Sequence, residues 1–259
     1  MDRRANTALV TGAARRIGRD IARALARDGW AVAVHCNNST EDAAATVAAI
    51  ESEGGRAVAL AADLADPAAA GALVGRASDA LGPVGLLVNN ASLFEPDTIA
   101  TLEPATIARH MAVNLQAPLL LARALADALP VGAEGVVVNV LDQKLANPNP
   151  DFLSYTLSKA ALGEATRLLA MALAPRVRVV AVAPGLTLPA PGQSAAQFAA
   201  VHGRTPLRRG AAADDVAKAV VWLAGARAIT GVTLLVDGGQ HLVPSATDVM
   251  FLPAGVTHP

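Results

Sequence analysis

Aromatic side chains are scarce in this 259-residue chain, where four Phe, two Trp and one Tyr make up 3% of the sequence. The core must be built from Ala, Val and Leu instead, and 60 alanines within a 53% hydrophobic composition supply it. Each aromatic residue therefore warrants a check for a role beyond packing. Cysteine is scarcer still: Cys36 stands alone, which rules out an internal disulfide, offers no metal-ligand cluster and fits a reducing compartment. Charge of one sign is also missing. With 21 Lys and Arg against 22 Asp and Glu, the net charge is −1, too weak a field to hold nucleic acid or an anionic membrane. No window reaches the ~18 uncharged apolar residues of a spanning helix. The opening MDRRANTALVTG runs straight into a strand and a glycine turn with no secretory core, which predicts the cytoplasm. The mean hydropathy of +0.40 is high for such a chain, and it points to a sheet buried on both faces, to subunit interfaces, or to both.

What is present is a rhythm. Apolar runs at Thr7 to Val10, Ala31 to Cys36, Ala57 to Ala61, Gly85 to Asn89, Val136 to Val140, Arg178 to Ala183 and Leu234 to Val236 read as strands. Helical periods separate them at Arg16 to Asp28, Glu41 to Ser52, Pro67 to Ala80, Pro104 to Leu129, Phe152 to Ala174 and Asp214 to Leu223, with start signals at Asp66-Pro67 and Glu103-Pro104. Right-handed crossovers turn this alternation into a doubly wound seven-stranded parallel sheet in one α/β domain spanning 1–259, with helices on both faces and ligands at the carboxyl ends of the strands. Two stretches break the pattern. Residues 186–209 carry Pro189, Pro191, Gly192, Gly203 and Pro206 and read as a lid with a short helix near Ala195 to Val201. Residues 241–259 carry three prolines beside Val249, Met250, Phe251 and Leu252, and read as a frayed end or as a tail docked on a neighbouring subunit.

The turn Thr11-Gly12-Ala13-Ala14-Arg15-Arg16-Ile17-Gly18 joins the first strand to the first helix, where backbone N–H groups can face a pyrophosphate. Arg16 stands where the middle glycine of a dinucleotide turn is expected. After strand two come His35-Cys36-Asn37-Asn38-Ser39, with no carboxylate before Glu41. An acidic residue there would bind the ribose of NAD, whereas Asn, Ser and the nearby Arg15 and Arg16 suit a 2′-phosphate, so NADPH is expected over NADH. The polar residues also serve as an ordinary loop, with Ser39 or Thr40 as a helix cap.

Tyr155 and Lys159 are one helical turn apart, and an ammonium near a phenol lowers its pKa toward a usable range. Taken with the glycine turn, Asn89-Asn90-Ala91, Asn114, Pro184-Gly185 and the ending Thr230-Gly231 through Asp237-Gly238-Gly239, this pair makes the chain resemble the short-chain dehydrogenase/reductase family over nearly its whole length, which implies a Rossmann-type fold. Most members that resemble it carry Ser thirteen residues before the tyrosine, and here that residue is Asp142. A carboxylate repels a developing alkoxide, while an acid suits a nitrogen heterocycle. Asp142 is also readable as a solvated strand-end residue, with Gln143 or Ser154 replacing the serine. With Ser92-Leu93-Phe94 and Leu186, the substitution makes the chain similar to pteridine reductases and the bacterial dihydromonapterin/dihydrofolate reductase group.

That resemblance implies a set of roles. Arg16 would lie near pyrophosphate and pterin, Ser92 near both ligands, and Phe94 over the pterin opposite the nicotinamide. Asp63 and Leu64 would contact adenine, Asn90 and Ala91 would line the adenosine side, and Lys159 would bind the nicotinamide ribose. Asn114 would join a water-mediated proton relay through Lys159. Gly12, Ile17, Gly18, Pro184, Gly185, Leu186 and Thr187 complete the cofactor-binding set. The chain departs from the family by Asn37-Asn38-Ser39 in place of His-Arg-Ser, and by few aromatic walls between Gln143 and Phe152. The activity implied is NADPH-dependent reduction of a pteridine-like C=N bond, with Tyr155 as proton donor assisted by Asp142. A carbonyl reductase and a nucleotide-sensing protein without turnover are the other readings. A homotetramer is implied, built on helices more apolar than one sheet contact can bury, with the tail reaching a partner's site.

Overall fold

Apolar runs of four to eight residues become seven strands: β1 (Thr7–Val10), β2 (Ala31–Cys36), β3 (Ala57–Ala61), β4 (Val84–Asn89), β5 (Gly135–Val140), β6 (Val177–Pro184) and β7 (Thr233–Val236). The helices are α1 (Arg16–Arg27), α2 (Thr40–Ser52), α3 (Pro67–Leu81), α4 (Pro104–Met111), α5 (Ala117–Ala128), α6 (Leu153–Ala172), α7 (Ala195–His202) and α8 (Ala213–Gly225). The structure is a computed structural model and describes residues 5–189 and 195–251. All strands pair in parallel in the order β3-β2-β1-β4-β5-β6-β7, the expected Rossmann-type sheet of a single domain.

Successive strand residues face opposite sides of a sheet, and here both sides are apolar. Ala8, Val10, Val136 and Val138 pack beneath α1 and α8, whereas Leu9 and Val137 pack against α3 and α5. This two-sided burial absorbs much of the apolar excess, although Leu157, Leu168 and Met171 stay exposed on α6 and Trp222 on α8. No helix among the described residues is long and apolar enough to cross a membrane.

The run expected as one helix from Pro104 to Leu129 is broken. A π turn at Ala112–Gln116 separates α4 from α5, because Pro118 has no N–H to give the carbonyl four residues back, that of Asn114. Capping is mixed. Asp66 accepts a 2.8 Å bond from the Ala68 N–H, while Glu103 and Ser39 make no side-chain cap.

The strand order reverses beside β1, so the crevice for a ligand opens at the carboxyl ends of β1 and β4. A buried amide chain sets α6 over it. Asn89 Nδ2 donates to Asn139 Oδ1 at 2.8 Å, Asn139 Nδ2 to Thr166 Oγ1 at 2.9 Å, and Thr166 Oγ1 to the Leu162 carbonyl at 2.9 Å. Asn139→Ala strands two buried polar groups and is expected to cost about 2–4 kcal/mol. Urea denaturation measures it, and a loss below about 0.5 kcal/mol contradicts the role given to this chain.

Candidate active site

The glycine turn is welded to the loop after β4. Thr11 Oγ1 accepts from the N–H groups of Asn90 and Ala91, both at 3.0 Å, and Asn90 Nδ2 donates to the carbonyls of Thr11 and Gly12 at 2.8 and 3.1 Å. A Cβ on Gly18 would lie 2.2 Å from the Gly12 carbonyl oxygen, so the close approach requires glycine. His35, passed over as a functional residue in the sequence, accepts the Gly12 N–H on Nδ1 at 3.0 Å, and its Nε2 lies 3.1 Å from the Ala62 carbonyl oxygen. Burial pushes its pKa down, so the ring stays neutral and holds the turn.

A cavity of about 430 Å³ opens here. Gly12, Arg15, Arg16, Ile17, Gly18, Asn37, Ser39, Asp63, Leu64, Asn90, Ala91 and Ser92 line it, with Leu93 and Val113. Asn38 is exposed and not on the wall, so the loop after β2 offers Asn37 and Ser39 rather than all three residues. Pro184, Gly185, Leu186 and Thr187 lie apart from this wall, at the carboxyl end of β6, where Gln240 Oε1 accepts the Leu186 N–H at 2.8 Å and Thr187 Oγ1 donates to the Gly185 carbonyl at 2.7 Å. Arg16 adopts φ +55°, the left-handed conformation that its glycine-like position demands. Both of its terminal nitrogens reach the Pro189 carbonyl at 3.3 Å, tying the turn to the start of the lid. Residues 190–194 of the lid and 252–259 of the tail lie outside the described residues.

Asp142 and Tyr155 meet. The tyrosine hydroxyl donates to Asp142 Oδ2 at 2.8 Å, and Asp142 Oδ1 accepts the Lys144 N–H at 2.8 Å, capping a 3-10 turn at Gln143–Leu145. Burial raises the Asp142 pKa, against the lowering pull of these two hydrogen bonds. The Tyr155 pKa also rises well above its ordinary value, through burial first and then the charge and hydrogen bond of Asp142. The expectation that Lys159 lowers it is corrected. The ammonium lies 5.8 Å from the ring centroid and donates to the Val140 carbonyl at 2.8 Å, and burial brings its own pKa down to about 8.

The Asn114 amide clamps the loop to α6, accepting from the Leu93 N–H at 2.8 Å and donating to the Leu93 carbonyl and Ser158 Oγ at 2.9 Å each. Ser154 hydrogen-bonds Asp97 through its backbone and hydroxyl, so its hydroxyl is committed away from the reacting pair.

The aromatic residues gather at this point. Phe94 stacks on Phe152 with centroids 4.2 Å apart and meets Tyr155 edge-on at 4.7 Å, and Phe251 of the tail stacks on Phe152 at 5.6 Å. The aromatic wall thought thin is built by residues from three segments. Phe152 is buried at φ +55°, a strained conformation for a bulky residue, held between the two rings. The described part of the tail packs on its own chain: Lys144 pairs with Asp248 at 2.9 Å, and Asn147 Nδ2 donates to the Val243 carbonyl at 2.7 Å. Periodicity could not reveal these tail contacts, because they join residues about a hundred positions apart in a segment without a repeat.

Residues 6–198 match the family model described as short chain dehydrogenase. The chain belongs to that family. Among solved structures, this short-chain dehydrogenase is similar to FolM alternative dihydrofolate reductase 1 from Brucella canis complexed with NADP, at 46% identity and a TM-score of 0.87, over 92% of this chain and 96% of that one. The Brucella suis protein, also in complex with NADP, is similar at 46% identity and a TM-score of 0.88, with the same coverage. Among curated relatives, the granaticin polyketide synthase putative ketoacyl reductase 2 of Streptomyces violaceoruber is 37% identical over 246 residues, covering 92% of this chain and 97% of the relative.

In this short-chain dehydrogenase the side chain of Arg16 is kept in place at the expense of backbone strain. Arg16→Gly removes that strain and is expected to raise stability by about 1 kcal/mol. The urea midpoint checks it, and a less stable variant contradicts the strain.

Proposed function

We propose that the chain is an NADPH-dependent reductase of a pteridine-like C=N bond. The observation that carries this reading is the 2.8 Å hydrogen bond between the Tyr155 hydroxyl and Asp142 Oδ2. Burial favours the protonated form of both groups. Such a pair keeps a proton ready at a site where a nitrogen is to receive it, whereas an ionised carboxylate opposes a developing alkoxide. The flat, partly exposed ring of Phe94 beside Tyr155 suits a bicyclic heterocycle. The Brucella proteins named as alternative dihydrofolate reductases support the same class.

The cavity fits the cofactor by the chemistry of its wall. A tight glycine turn opens onto the N-terminus of α1, Asn37 and Ser39 follow β2 without a carboxylate, and Arg15 and Arg16 flank them. Asp63 and Leu64 would hold the adenine end, and Lys159 the nicotinamide ribose. NADPH when bound supplies the hydride to the carbon of the C=N bond. Tyr155 delivers the proton to the nitrogen, and Asp142 orients the phenol and holds a proton behind it. Asn114 fixes the loop that carries Ser92 and Phe94. A carbonyl reductase is the second reading, supported by the ketoacyl reductase relative.

Oxidation of NADPH against dihydrobiopterin, dihydromonapterin, dihydrofolate and a panel of ketones separates the two. Turnover of a pteridine, with competition by methotrexate, is expected. Tyr155→Phe is expected to lower kcat about 10²-fold or more. Reduction of ketones alone, or unchanged pteridine turnover in Tyr155→Phe, contradicts the assignment.

A further inference from the structure

Residues 240–251 lie across the turn that carries Asp142. The Thr247 hydroxyl and the Asp248 N–H both donate to Asp151 Oδ2, at 2.6 and 2.7 Å, and these bonds bring the Asp248 carboxylate to Lys144 at 2.9 Å. Lys144 is only 3% exposed and Asp248 13%. A buried ammonium requires a fixed counter-charge. Lys144 Nζ also donates to Asn149 Oδ1 and lies 5.4 Å from the Phe152 ring centroid, while its backbone N–H holds Asp142 Oδ1 at 2.8 Å. One residue thus joins the tail to the carboxyl group that meets Tyr155.

We infer that Asp248 is a positioning residue for the Asp142–Tyr155 pair: by neutralising Lys144 it holds the turn at Gln143–Leu145, whose Lys144 N–H keeps Asp142 turned to the phenol. The inference rests on Asp142 and Tyr155 being the proton-delivering pair of the proposed function. One residue separates Lys144 from Asp142, and the Lys144 N–H holds Asp142 Oδ1, so a turn freed by an ammonium deprived of Asp248 shifts that bond and with it the carboxyl group. Electrostatics runs the same way. The charge of Asp248 raises the pKa of both Asp142 and Tyr155, adding to the larger effect of burial. The charged groups facing the phenol are Asp142 from the turn, Lys159 from α6 and Asp248 from the tail, with Lys144 and Asp151 behind them.

Tyr155 is the only tyrosine in the chain, so the ultraviolet absorbance of tyrosinate reports its ionisation without substrate. In Asp248→Asn the midpoint of that titration is expected to fall by at least about 0.3 pH unit, a twofold change in the ionisation constant. The kcat for the pteridine is expected to fall about tenfold with KM near wild type, and Asp248→Glu to restore both. Circular dichroism at each pH follows the fold. If Asp248→Asn does not fold, Asp151→Asn loosens the tail without touching the pair and is expected to lower the midpoint in the same direction. An unchanged midpoint and unchanged kcat in whichever variant folds overturn the inference. A wild-type protein that reduces no pteridine defeats the proposed function instead, and the tyrosine titration then decides this inference by itself.

Discussion

A phenol and a carboxyl group 2.8 Å apart in a buried setting do not titrate independently, and much of the molecule is arranged to keep them there. Asp142 is delivered by the carboxyl end of β5 and fixed by its cap on the following turn. Tyr155 comes from the first turn of α6, a helix set in register by Asn139 and Thr166. Burial makes ionisation of either group costly, so the shared proton belongs to the pair. On the proposed reading, an acid where the resemblance implies serine is more than a local change of donor: it alters which developing charge the site favours.

The backbone carries strain at Arg16 on the cavity wall and at Phe152 beside the ring of Phe94. Arg16 and Phe152 both adopt positive φ, and neither gains anything from that conformation in isolation. Arg16 is held by the glycine-turn geometry and reaches the lid, while Phe152 is held by the rings of Phe94 and Phe251. Four of the seven aromatic residues, Tyr155 among them, are gathered at the site in a chain otherwise packed with aliphatic side chains.

Much of the fold was legible because a parallel sheet buried on both faces writes itself as unbroken apolar runs. β1, β2 and β3 begin and end where those runs do, and the other strands extend them by a residue at one or both ends. The π turn was legible only through Pro118, whose missing N–H interrupts a run that otherwise reads as one helix. Asp142, Tyr155 and the glycine turn were legible because local spacing places them at strand ends and on one helix face. Lys144, Phe152, Phe251 and Asp248 were not, since their role arises from contacts between distant segments, and no periodicity marks a buried ion pair or a ring stack. The pKa of Tyr155 was misjudged for a related reason: the spacing to Lys159 is visible in the sequence, but the depth of burial and the bond to Asp142 belong to the fold.

The most direct measurement compares kcat/KM for a dihydropterin and for a ketone in the wild type and in Asp142→Ser. If the acid is what fits this site to a C=N bond, the serine variant loses about 10²-fold or more on the pterin and gains on the ketone, the scale of one general acid. Pterin reduction left intact in Asp142→Ser would contradict the account.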